Sequence, residues 1–257
     1  MERKDLITLS LSIAAFLLSI FATYRTEKKA REERQRTIRS QLTDVLGRLT
    51  DLQLDLAKLQ LEAKNNREYF VAVNSVIAQQ NGFLIDQAVY LSEQIPQLVT
   101  TYEVNTIAAA NANAGNFIVA ERYYQNAIKI SPNALYKSLA VRSYAMFLFP
   151  QGRIKEARDQ FRAAIDLLKG EDNAVRSTNG FSYQIWAQNE LNFARSPERA
   201  NEYFEKARNE YASIDVEFMR NMALENLDAA RNQNIPPAPV KYNMAPTTAK
   251  KAEVMPE

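Results

Sequence analysis

The chain reads as all-α: a long leading helix, then helical hairpins. Three observations predict this. Its 257 residues include only six glycines and nine prolines, so turns are few and helices long. Apolar residues recur at steps of three and four rather than two. One hairpin-like spacing, Ala114-Gly115-Asn116-Phe117 followed by Ala120, Tyr124, Ala127 and Pro132, returns twice in altered form.

Composition also limits the chemistry. With no cysteine and no histidine, the chain lacks a thiolate nucleophile, the usual general base and the common zinc ligands. The formal net charge of +2, with basic and acidic residues interleaved, gives no footprint for nucleic acid. No catalytic, cofactor or metal site is expected, and the chain is not read as an enzyme.

Residues 1–5 form a short flank. From Leu6 to Tyr24 run 19 residues without a charge, rich in Leu, Ile, Phe and Ala. As a helix they measure roughly 28 Å, close to the hydrocarbon thickness of a bilayer. A transmembrane helix is therefore expected over 6–24. A cleaved signal peptide would have a shorter apolar core and a small-residue cleavage site, whereas this run passes into Arg25, Lys28, Lys29, Arg31, Arg34 and Arg36. Two basic residues precede the run (Arg3, Lys4) and seven follow it by Arg39, which predicts a cytoplasmic body rather than a periplasmic or lumenal one. Glu27, Glu32 and Glu33 dilute the basic stretch, which reads as a solvated helix face.

Residues 25–66 are expected to form a coiled-coil-like stalk. Ile38, Leu42, Val45, Leu49, Leu52, Leu56, Leu59 and Ala63 alternate steps of four and three, a heptad seam. The seam would pair with a second copy, making a homo-oligomer through 38–63. Leu46, Leu54 and Leu61 widen the apolar face, which equally suits packing inside a bundle. Residues 67–97 continue the helical pattern. Asn81-Gly82 predicts a tight turn within them, so the segment reads as a helical cap or a divergent half-repeat.

Hairpins fill most of 98–231. In the first, helices are expected near Leu98–Ala114 and Phe117–Ile130, stopped by Ser131-Pro132. In the second they fall near Ala134–Phe149 and Ile154–Leu168, with Gly152, Ala157, Phe161 and Ala164 at the first copy's offsets. The third, Phe181–Ala194 and Pro197–Ala212, keeps Ala200, Phe204 and Ala207 but has no turn glycine. Its first-helix alanine, Ala187, precedes Ala200 by 13 residues, whereas Ala108 and Ala145 each precede their partners by 12.

This spacing resembles the tetratricopeptide repeat (TPR), whose pattern sets a small residue in the first helix, then A-x3-F and a proline in the second. The resemblance covers about residues 101 to 212. It implies an α-solenoid of about three helical hairpins, here behind the expected membrane anchor, with a groove along the first helices that takes a protein or peptide partner. Transferring the groove positions gives Asn105, Arg142, Gln184 and, one turn on, Ala109, Met146 and Gln188.

A last amphipathic helix, Val216 through Arg231, is expected to cap the stack. Residues 232–257, with Pro236-Pro237-Ala238-Pro239, cannot form a core and read as a disordered tail. Trp186, the sole tryptophan, is expected in the core. The expected function is a membrane-tethered scaffold for protein partners; the alternative is a homo-oligomer joined by its stalk, with the repeats as spacer.

Overall fold

The computed structural model describes residues 3–62 and 67–232, except for the side chains of 3–18, 57, 60–62, 67–70 and 72. Among them every regular element is helical, with no strand. The chain divides into two compact units, Met1–Lys169 and Gly170–Glu257. The division falls inside the expected repeat stretch 98–231, at the loop that separates the second and third hairpins.

The first unit opens with α1 (Arg3–Glu62) and α2 (Arg67–Gln94), which pack together. The wide apolar face of α1 is spent here: Leu42, Val45, Leu46, Leu49 and Leu59 are buried, as are Leu84, Ile85, Ala88 and Leu91 of α2. Between Leu42 and Leu59, α1 is therefore covered by its packing in the unit, with α2 lying against it, and this part of the expected stalk does not stand free. Residues 19–34 of α1 are exposed on every side.

No turn forms at Asn81-Gly82, where α2 runs through unbroken. A glycine inside a helix costs only about 1 kcal/mol. Burying Leu84, Ile85 and Ala88 immediately beyond it outweighs that.

Among the described residues no helix is long and apolar enough to cross a membrane. Of the uncharged run 6–24, only residues 19–24 are described with side chains, so most of the expected span lies outside them. The tail 233–257 lies outside them as well.

Helices α3 (Thr101–Asn113) and α4 (Phe117–Ile130) form one hairpin, α5 (Ala134–Leu148) and α6 (Ile154–Asp166) the next. The start of α3, three residues later than expected, is fixed by a capping box. Thr100 Oγ1 accepts from the Glu103 N–H at 3.3 Å, and Glu103 Oε2 accepts from the Thr100 N–H at 2.8 Å. Arg39 of α1 donates to the same Glu103 oxygen at 2.6 Å, joining the first hairpin to α3.

Gly115 and Gly152 take φ of 83° and 75°, backbone that favours glycine, and this is why both interhelical turns carry one. Ala108 faces the hairpin core with Ala120, and Ala145 with Ala157; all four are fully buried. Tyr124 and Phe161 fill the adjoining space one turn on. Between the hairpins, Tyr124 lies 5.2 Å from Phe147 and 6.2 Å from Tyr144, ring centre to ring centre.

The second unit holds α7 (Asn173–Asn189), a five-residue π turn (Glu190–Ala194), α8 (Pro197–Ala212) and α9 (Glu217–Asn232). Asp172 caps α7, accepting from the Ala174 and Val175 N–H groups at 3.0 and 2.9 Å, so the helix begins eight residues before the expected Phe181. Gly180 lies inside α7 rather than ending it. A Cβ there would stand 2.5 Å from Tyr211 Cε1.

The π turn accounts for the thirteenth residue between Ala187 and Ala200, since one residue is absorbed without disturbing the packing on either side. Arg195, at φ 51°, takes the left-handed position that glycine holds in the other two hairpins. Trp186 is buried, stacked on Tyr203 at 3.9 Å, and its indole N–H donates to the buried Glu190 at 3.0 Å. Leu227 anchors α9, helped by ion pairs of Arg208 with Asp228 and Arg231 with Glu205.

Candidate functional site

Four expected partner-binding residues fall into two pairs, one in each unit. Asn105 and Arg142 lie in the first unit, on the neighbouring helices α3 and α5. The Asn105 Nδ2 donates to Ser143 Oγ at 2.8 Å, and Ser143 Oγ donates onward to the Leu139 carbonyl at 3.0 Å. The Asn105 Oδ1 is shielded from solvent and has no hydrogen-bond partner. An acceptor left so costs about 1–3 kcal/mol.

Around this amide the two helices expose a mixed surface. Leu135, Leu139, Arg142 and Met146 stand at i, i+4, i+7 and i+11, one face of α5. Leu135 and Met146 are exposed, and the Arg142 side chain is half-buried. On α3, Tyr102 is 75% exposed and Ala109 half-buried. Apolar side chains flank one guanidinium here.

Gln184 and Gln188 sit differently. Gln184 is buried, and its Oε1 accepts from the Tyr211 hydroxyl at 3.1 Å. Both glutamines line a hollow of about 500 Å³ between α7, α8 and α9, with Phe181 and Met222. The terminal helix thus stands over the face that the repeat spacing assigns to a partner.

A second polar cluster lies between the hairpins of the first unit. Tyr144 donates to Glu121 Oε1 at 2.5 Å, Arg153 donates to the same oxygen at 2.7 Å, and Arg153 also holds Glu156 at 2.8 Å. No local signal marks it, because Glu121 and Arg153 are 32 residues apart. Burial, then the hydrogen bond to Glu121, pushes the Tyr144 phenol up to about 12. For Glu121, burial pushes the carboxyl up, but the bonds from Tyr144 and Arg153 outweigh it and leave the group below its ordinary range. The cluster ties α4 to the next hairpin.

Glu103 behaves alike: burial raises it, and the bonds from Arg39 and Thr100 together bring it lower. A carboxyl depressed by folding contributes stability above its unfolded value, and that contribution is lost as pH falls through the folded value. Glu210 in the second unit is raised by burial, so its contribution runs the other way. Acidification through and below the ordinary carboxylate value of 4.5 is therefore expected to weaken the first unit before the second. Fluorescence of Trp186, which reports on the second unit, should change at lower pH than far-UV circular dichroism first does. Coincident transitions would count against this ordering.

Comparison with known proteins identifies no relative. No family model, curated protein or solved structure matches the chain. Among the described residues no three acidic side chains converge as a metal site requires.

Proposed function

We propose that this chain is a membrane-tethered, TPR-like scaffold that docks a protein or peptide partner on the α3/α5 face of its first unit. The observation that carries the docking is the Asn105 carbonyl oxygen, buried and unpaired on α3, with Tyr102 of the same helix and Leu135 and Met146 of the adjoining α5 exposed. An extended peptide would lay apolar side chains on Tyr102, Leu135 and Met146, and a turn of the Asn105 amide would offer its oxygen to a backbone N–H.

Two features support the tether. The run Leu6–Tyr24 has bilayer length and no charge. At its C-terminal end Ile20, Phe21 and Tyr24 are all more than half exposed, on a stretch of helix that packs against none of the described residues. Lipid would cover them. The charge count then puts the body in the cytoplasm. The alternative, a homo-oligomer joined through 38–63 with the repeats as spacer, has lost its main support, because Leu42, Val45, Leu49 and Leu59 are covered within the chain.

The test is capture of partners from the native membrane by the full chain, compared with an Asn105→Ala, Arg142→Ala double variant. At least a tenfold loss of the captured species is expected, about 1.4 kcal/mol or more. Circular dichroism should show the helices intact. Equal capture by both proteins would remove this face from the proposal.

A further inference from the structure

We propose that the hollow between α7 and α9 of the second unit seats the chain's own proline segment, Ile235–Val240, which lies outside the described residues. Phe181 of α7 and Met222 of α9 leave apolar surface in the hollow, 43 and 49% exposed, and the buried Tyr211 of α8 lines it too. Gln184, Gln188 and Asn226 add three carboxamides, and no lining residue is charged. Gln184 is only 8% exposed; its oxygen accepts from Tyr211, and its amide nitrogen meets no acceptor among the described residues. A donor so placed calls for a carbonyl from outside the described fold.

These features match one kind of occupant. A strand in the polyproline II form has no internal hydrogen bonds, so its carbonyls take donors from a partner while its rings lie on aromatic and apolar surface. The chain carries one such stretch, Ile235-Pro236-Pro237-Ala238-Pro239-Val240, and from Gln233 to Val240 it has no charge to strand in an uncharged hollow. Reach favours this segment over a free peptide. Ala229 and Ala230 line the hollow and α9 ends two residues later at Asn232, which leaves Gln233 and Asn234 for the reversal. Six residues of polyproline II extend roughly 19 Å, against roughly 17 Å of α7 from Ser177 to Gln188. A link this short holds the segment at about millimolar effective concentration, which a separate peptide would have to match. Gln184 and Gln188, expected to bind a partner, would then hold the chain itself. The hollow belongs to the second unit and the α3/α5 face to the first, so this proposal and the docking proposal fail separately.

Because the chain has no cysteine, pairs can be added cleanly. In the full chain in detergent, Asn226→Cys with Ala238→Cys should close an intrachain disulfide under mild oxidation at least ten times faster than Glu225→Cys with Ala238→Cys. Residues 225 and 226 are both exposed and nearly equidistant from the segment along the chain, but 225 is turned about 100° away from the hollow side of α9. Replacing Pro236, Pro237 and Pro239 by glycine in the first pair should bring its rate down to that of the second, because the strand then costs more to order. Equal rates in the two pairs, a rate unmoved by the glycines, or a disulfide that joins two chains would overturn the proposal.

Discussion

Replacing Phe161 with alanine is expected to destabilise the first unit by about 3–5 kcal/mol. The ring is fully buried, 5.9 Å from Phe149, in the space that the small Ala157 leaves one turn earlier. Truncation loses the transfer energy of the ring and leaves a cavity whose helical walls cannot collapse into it. Ile118→Ala is the control: that side chain is 89% exposed, and its loss should stay within about 0.5 kcal/mol. Urea unfolding followed by circular dichroism reads both. A Phe161→Ala protein as stable as the Ile118→Ala one would mean that the repeated aromatic is not holding the hairpin closed.

The second large effect runs in the opposite sense, by adding one carbon. Gly180→Ala would drive a methyl to 2.5 and 2.7 Å from two carbons of the Tyr211 ring. That ring cannot swing away, because it is buried and its hydroxyl is held by Gln184. Overpacking of this kind costs about 1–3 kcal/mol. Trp186 fluorescence during urea unfolding should show an earlier midpoint in the variant. Adding Tyr211→Leu should return part of the loss, since the methyl then has room. A Gly180→Ala protein with unchanged midpoint would show that α7 and α8 do not approach so closely.

Glycine illustrates what the sequence could and could not disclose. Gly115 and Gly152 were legible because each precedes a helix at the same offset from an alanine pair, and both take positive φ. Gly82, with the stronger turn signal, stays helical because the residues just beyond it, Leu84, Ile85 and Ala88, are buried and hold α2 together. Gly180 owes its identity to Tyr211, 31 positions later. Pattern identifies a glycine but not whether a turn, a neighbour or nothing in particular requires it.

The same division holds for the rest. Buried alanines and aromatics at local spacings of four and seven could be placed before any coordinates, as could Trp186 in the core. The extra residue before Ala200 was countable, but that a π turn absorbs it was not. Of the candidate site, the placement of Asn105 on α3 and Arg142 on α5 followed from the repeat spacing. The orphaned Asn105 oxygen and the burial of Gln184 depend on neighbours distant in the chain, Ser143 and Tyr211. The heptads of α1 predicted a sticky face correctly without saying whether another chain or α2 would cover it.

We propose two environments for α1, lipid at its start and protein towards its end. Extraction of membranes carrying the full chain, first with high salt and then with alkaline carbonate, tests it most directly. The account predicts that the intact chain stays in the pellet through both washes. Release of chain that still carries residues 6–24 into the carbonate supernatant would contradict it.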